Sequence, residues 1–230
     1  MKTKKTIVMA GLLGLGVLLT GCGLEGAKER DTVSYDVAEK VAAVKIEGDS
    51  GAIVVTESDR KGIHVTETLT WRKSKPEPTH KVQGDTLVLE FTCPVTVGLG
   101  SCDVAYEVEV PRGLRIEAGS DSGEVTLRAL SGEVEAKSDS GRIEARDLTA
   151  KRVRAESDSG DMTLVFAQQP DKVTTSTDSG RTEVRVPEGP YKITTSTDSG
   201  DEKVGAKNDA SASRVIDMSS GSGDLELATR

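Results

Sequence analysis

The sequence predicts an all-β chain folded as a β-solenoid, a parallel β-helix-like stack with about 20 residues per coil and an N-terminal β cap. Three observations predict it. First, a Ser/Thr-Asp-Ser-Gly frame recurs seven times, ending on Gly51, Gly123, Gly141, Gly160, Gly180, Gly200 and Gly223. Six of the seven turns read Asp-Ser-Gly, and the last five intervals are 18, 19, 20, 20 and 23 residues. A fixed period of that size is the signature of stacked repeats. Second, the residues on both sides of each turn alternate apolar and polar with period two, the pattern of half-buried strands. Third, the position just after the turn glycine alternates in charge from repeat to repeat.

Aligned on the turn glycine, the repeats give four inward columns. Seven residues before it stand Val44, Ile116, Val134, Val153, Val173, Ile193 and Ile216. Five before it stand Ile46, Ala118, Ala136, Ala155, Thr175, Thr195 and Met218. Two after it come Ile53, Val125, Ile143, Met162, Thr182, Glu202 and Leu225. Four after it come Val55, Leu127, Ala145, Leu164, Val184, Val204 and Leu227. Each repeat is therefore strand, turn, strand, second turn. The second turn is visible at Leu130-Ser131-Gly132, at Asp147-Leu148-Thr149 and, stiffer, at Pro187-Glu188-Gly189-Pro190. One such unit cannot bury its apolar face alone, but stacked units can. The small residues of the second column imply a thin core between two sheets. Just after the glycine the repeats read Glu124, Arg142, Asp161, Arg181, Asp201, so successive coils would pair opposite charges. A meandering antiparallel sandwich with coincidental repeats is the competing arrangement.

The first 21 residues read as a lipoprotein signal peptide. Lys2, Lys4 and Lys5 precede an apolar run from Ile7 to Leu19, too short for a spanning helix of about 20 residues. The run ends Leu19-Thr20-Gly21-Cys22, which resembles the lipobox of bacterial lipoproteins and makes Cys22 the lipid acceptor. Loss of the leader leaves 209 of the 230 residues and moves the formal charge from −8 to −11, since three lysines go with it. Residues 22–32 read as the lipidated cysteine and a flexible tether. The expected location is extracytoplasmic, anchored to the cell membrane. In that oxidising setting Cys93 and Cys102 read as one disulfide closing a short loop. A metal site there lacks further ligands, because His64 and His80 are the only histidines.

Residues 33–115 hold the first repeat and a β-rich segment that interrupts the period. Strands are expected at Ile63–Trp71, Lys81–Thr92 with a turn at Gly84-Asp85, and Asp103–Pro111, with a loop at 73–78. Their simplest role is to cap the exposed ladder of the first coil. Residues 116–230 are the uninterrupted repeat array. Trp71, the lone tryptophan, is expected in the core of the cap, with a ligand platform as the alternative.

The order of features carries a family resemblance. Lipobox, tryptophan-bearing strand, Gly84-Asp85-Thr86-Leu87-Val88-Leu89, the Cys93 and Cys102 pair, Val108-Glu109-Val110-Pro111-Arg112-Gly113 and then Ser-Asp-Ser-Gly strands follow in turn. This resembles the bacterial β-strand-repeat lipoprotein family of unknown function, whose members are often provisionally called adhesins. The resemblance implies a β-solenoid on the cell envelope, and it carries no catalytic residues with it.

Composition narrows the function. Net acidity argues against nucleic acid, which needs a basic surface. The repeated Asp-Ser pairs have no histidine to complete a hydrolytic triad. No phosphate-cradling Gly-Lys-Ser/Thr loop is present. The reading is a non-catalytic structural, adhesive or protein-binding role, without a cofactor. Its partners are the membrane through the lipid, and an envelope protein or cell-surface glycan. The alternative is a cell-wall carbohydrate-active enzyme on a β-helix scaffold, which would require clustered carboxylates in a groove with Tyr106 or Tyr191. The aspartates two before each glycine, Asp49, Asp121, Asp139, Asp158, Asp178 and Asp198, would form a column of like charge. Each is expected to accept its own turn's N–H groups while glycine supplies positive φ. A Ca²⁺ ion is the other way to neutralise the column.

Overall fold

The computed structural model describes residues 27–94 and 100–230. Cys22 and the leader lie outside the described residues. In chain order the strands are β1 (Glu29–Val37), β2 (Ala43–Gly48), β3 (Ile53–Glu57), β4 (Ile63–Arg72), β5 (Glu77–Gln83), β6 (Thr86–Thr92), β7 (Ser101–Val110), β8 (Arg115–Ser120), β9 (Val125–Arg128), β10 (Val134–Ser138), β11 (Ile143–Leu148), β12 (Arg152–Ser157), β13 (Met162–Phe166), β14 (Lys172–Ser179), β15 (Thr182–Val186), β16 (Lys192–Thr197), β17 (Glu202–Val204), β18 (Val215–Ser222) and β19 (Leu225–Thr229). They form two facing sheets. One runs β1-β4-β7-β3-β9-β11-β13-β15-β19-β17, and the other β16-β18-β14-β12-β10-β8-β2-β6-β5. Pairing is parallel throughout, apart from β1 with β4, β4 with β7 and β5 with β6, which are antiparallel.

The inward columns stand in register as the sequence spaced them. Val44 faces Ile116, which faces Val134, Val153 and Val173 in turn. On the facing sheet Val55, Leu127, Ala145, Leu164 and Val184 follow one another. Val44, Ile116, Val173, Val55 and Leu127 have no exposed surface, so the core is the space between the sheets. Removing such side chains from water stabilises by about 25 cal/mol per Å² of apolar area. Second turns add a corner column. Ala129 and Asp147 adopt left-handed backbone (φ 58° and 56°), and the following Leu130 and Leu148 are fully buried.

Two features of the stack differ from the sequence expectation. The last repeat does not lie at the end. β18 sits between β14 and β16, and β19 sits between β15 and β17. Core demand explains the swap. Met218, Leu225 and Leu227 are buried, whereas Glu202 and Val204 of the sixth repeat, at inward positions, stay exposed. The least apolar coil therefore takes the end, where one side needs no apolar neighbour.

Residues 56–115 also do more than interrupt. β6 pairs in parallel with β2, setting Leu87 against Val44 and Leu89 against Ile46. β7 pairs in parallel with β3, setting Tyr106 against Ile53 and Val108 against Val55. This segment thus supplies a regular layer beneath the first repeat. Only β1, β4 and β5 run antiparallel outside it. β1 begins at Glu29, inside the stretch 22–32 that reads as tether from sequence, because it pairs with β4 from Trp71 to Ile63.

Candidate functional site

The Asp-Ser-Gly turns form one column along the stack. Ser122, Ser140, Ser159 and Ser179 each donate a backbone N–H to the carbonyl of the aspartate one coil earlier, Asp49, Asp121, Asp139 and Asp158, at 2.8 Å. The turn is stitched to its neighbour rather than closed on itself. The glycine N–H is taken locally, by a serine three residues earlier: Ser120 Oγ accepts from Gly123 at 2.9 Å, Ser138 Oγ from Gly141 and Ser157 Oγ from Gly160 at 2.7 Å. The aspartate carboxylates do not take that role. Asp49 accepts the Ser50 hydroxyl, and the six aspartates point to water as exposed groups. That corrects the expected aspartate-closed turn.

The glycine requirement is also different from the expected one. Gly180 (φ 132°) and Gly200 (φ 158°) have positive φ, whereas Gly51, Gly123, Gly141, Gly160 and Gly223 do not. These glycines are there because the turns touch. A Cβ on Gly123 would stand 2.1 Å from the Gly51 carbonyl oxygen, one on Gly141 2.0 Å from that of Gly123, and one on Gly160 2.1 Å from that of Gly141. The same contact runs from Gly223 to Gly180 at 2.0 Å and from Gly200 to Gly223 at 2.3 Å. The column thereby records the swapped coil order.

At the first turn the pattern needed a substitute. Gly48 stands where later coils carry a hydroxyl, and Asp103 of β7 fills the gap. Its Oδ1 accepts the N–H of Gly51 at 2.9 Å and of Ser50 at 3.3 Å. Sequence reasoning missed Asp103; the missing hydroxyl at Gly48 was the signal. Cys93 and Cys102 are joined by a disulfide with Cα atoms 5.9 Å apart, at the turn that links β6 to β7. This bond stands where the other layers have Asp-Ser-Gly.

The charged column after the glycines alternates from Glu124 through Arg181 and then ends on two acids, Asp224 and Asp201. Arg181 N–H donates to Asp161 Oδ1 at 2.9 Å, and its guanidinium reaches Asp224 of the inserted coil at 3.2 Å, not Asp201. The Asp201 N–H and that guanidinium hold the Asp224 carboxyl below the usual carboxylate range. On the outer face of the other sheet, charges also pair along and across strands. Lys137 contacts Glu135 at 3.0 Å and Glu156 at 3.5 Å, and Arg152 contacts Glu133 at 2.9 Å. Such exposed pairs contribute about 0–1 kcal/mol each.

Tyr106 and Tyr191 are inside, 1 % and 0 % exposed, so neither lines a groove. Tyr191 donates to the Pro187 carbonyl at 2.8 Å. Opposite Tyr106 stands Glu67, a carboxylate on the inward row of β4 that is 3 % exposed. The Tyr35 hydroxyl donates to Glu67 Oε1 at 2.7 Å, and the Tyr35 ring stacks on His80 with centroids 4.5 Å apart. Burial raises the Glu67 pKa, while the Tyr35 hydrogen bond and the nearby His80 oppose the shift. This acid was not singled out from sequence. Trp71 is half-buried against the core, with Lys75 Nζ 5.2 Å from its ring centre.

Among the described residues, no three His, Cys, Asp or Glu side chains converge as metal ligands. With the aspartates stitched through their backbone, the melting midpoint of the protein is expected to be nearly equal in excess chelator and in millimolar Ca²⁺. A Ca²⁺-dependent rise above about 5 °C, about 1 kcal/mol or more for a chain of this size, would make the column a metal site.

Residues 41–162 and 112–228 both match the Toastrack DUF4097 family. No curated protein matches the chain. Among solved structures, a provisionally named cell adhesion protein from Clostridium sporogenes ATCC 15579 is 14% identical. The alignment covers 88% of this chain and 100% of that one, with a TM-score of 0.47. A provisionally named adhesin from Bacteroides fragilis NCTC 9343 is 14% identical over 88% of this chain and 97% of that one, with a TM-score of 0.46. A provisionally named lipid binding protein from Parabacteroides distasonis ATCC 8503 is 15% identical over 87% and 96%, with a TM-score of 0.36. Matched across 41–228 by its family model, the chain belongs to the Toastrack DUF4097 family.

Proposed function

We propose that this protein is a lipid-anchored, extracytoplasmic β-solenoid with a non-catalytic adhesive or protein-binding role. In this reading Cys22 carries the lipid, coils of about 20 residues form the rod, and β1, β4 and β5 cap its first end. The observation that carries the reading is the disposition of the polar groups. Acids, bases and hydroxyls lie in columns on the outer faces, where many of the charges pair, as Lys137 does with Glu135 and Glu156, and the turn aspartates stand in water. A reaction needs groups that converge on one atom with separated acidities. A recognition surface needs a rigid array of short polar side chains. The buried positions of Tyr106 and Tyr191 support the non-catalytic reading, since neither tyrosine is open to a sugar.

The test is capture from membranes. The full chain, expressed in its lipidated form and cross-linked in place, should retain a specific partner protein or glycan. Reversing charge on the sheet face, as in Lys137→Glu with Arg154→Glu, should lose that partner without unfolding the rod. Release of soluble sugar from cell-wall polysaccharide by the pure protein would overturn the reading. The anchor is tested separately. Cys22→Ser should lose the lipid mass and leave the membrane fraction; retention of both would refute the lipobox.

A further inference from the structure

A stack of this kind has four free sheet edges, and each invites another strand. Three are blunted among the described residues. On β16, the Asn208 side chain accepts the Ile193 N–H at 3.2 Å and returns an N–H to its carbonyl at 3.5 Å, and Glu202 takes the Thr197 N–H at 3.2 Å. β17 is only three residues long. β5 carries Pro78 and Lys81 in its ladder. The fourth edge, β1, is nine residues long and contains neither proline nor glycine.

We infer that the free edge of β1 pairs with β1 of a second copy of this chain, as an antiparallel, two-fold contact that joins two ten-stranded sheets. The register follows from hydrogen bonding and charge. The Thr32 N–H does not bond β4; it donates to the Asp31 carboxylate at 2.9 Å. Residues of that parity, Arg30, Thr32, Ser34 and Asp36, therefore present their N–H and C=O groups outward. A two-fold centred on Val33 sets Thr32 opposite Ser34 and Arg30 opposite Asp36 of the second copy. Shifting the centre to Ser34 sets Arg30 opposite Ala38 and loses the ion pair; shifting it to Thr32 sets Arg30 opposite Ser34 and leaves Asp36 facing Lys28, which lies outside the strand. Asp36 and Glu109 flank His64 of β4 and share Arg60, at 2.7 and 3.3 Å, and Asp36 contacts His64 at 2.9 Å. Two carboxylates around one guanidinium leave room for a second cation. Asp31 also contacts Lys75 at 2.6 Å, so it keeps a partner when strand pairing takes over the Thr32 N–H. Val33, 44 % exposed although it lies on the inward row, would meet its own copy at the axis.

The axis makes the test direct. Opposed residues at such a non-hydrogen-bonded site have Cα atoms about 4.5 Å apart, within reach of a disulfide. Val33→Cys in the full chain, oxidised in membranes of expressing cells, should give a reducible species of doubled mass that wild type does not. Val204→Cys, also 44 % exposed but on the β17 edge, should stay monomeric under the same oxidation. Adding Arg30→Asp to Val33→Cys should abolish the dimer while the melting midpoint is unchanged. Cross-linking no greater than that of Val204→Cys, or cross-linking indifferent to Arg30→Asp, would overturn the proposal.

Discussion

Val153→Asp should unfold the stack at moderate temperature, with a loss of about 4 kcal/mol or more. Val153 is 3 % exposed and lies between Val134 and Val173 in its inward column. Its carboxylate would stand between apolar side chains, away from water. For a chain of this length the melting midpoint should fall by more than about 10 °C. Arg154→Asp, one residue on, removes a contact with Glu156 on the wet face and places two acids together. That should cost about 1 kcal/mol. Equal effects of the two substitutions in thermal or urea unfolding would refute both the alternation and the stack.

The second large effect is expected from the smallest change. Gly141→Ala adds one methyl group, but it would stand 2.0 Å from the Gly123 oxygen, 2.8 Å from its carbon and 2.9 Å from Ser138 Oγ. All but the last are backbone, so the coils themselves must separate. A loss of about 3 kcal/mol is expected, in the upper range for overpacking. Gly84→Ala is the comparison. Its φ of 65° disfavours a side chain, yet nothing lies within 4 Å of the added carbon. It should cost about 1 kcal/mol, the backbone contribution alone. Should the two alanines prove equally mild in urea titrations, close approach of the turns is not what selects glycine.

The inward columns were legible from sequence because period-two alternation survives any arrangement of the coils. Every residue aligned on the turn glycine is found in its column. Coil order was not legible, since alignment fixes a residue's column and not its neighbours in it. The clue was Glu202, an acid at a position where Val125, Ile143 and Met162 are buried. The layer made by β6 and β7 was hidden for another reason. Its turn carries a cystine in place of Asp-Ser-Gly, so the marker used for alignment was missing, although Leu87, Leu89, Tyr106 and Val108 keep the rhythm. Glu67 escaped because an acid on an alternating strand reads as outward. Only the position of β1, which brings the Tyr35 hydroxyl onto it, makes its burial tolerable. The membership in the Toastrack DUF4097 family agrees with what the order of short motifs implied.

The swapped last repeat also bears on how the protein must be made. A rod whose layers follow chain order can zip up as the chain is synthesised. This one cannot finish that way. The slot between β14 and β16 is filled by residues 215–222, and the slot between β15 and β17 by residues 225–229. Both segments follow β16 and β17 in the chain. Until they arrive, the sixth repeat has either no partner or the wrong one. A premature stop codon ahead of Val215 would therefore excise an interior layer and leave β16 and β17 detached, instead of trimming the tip of the rod.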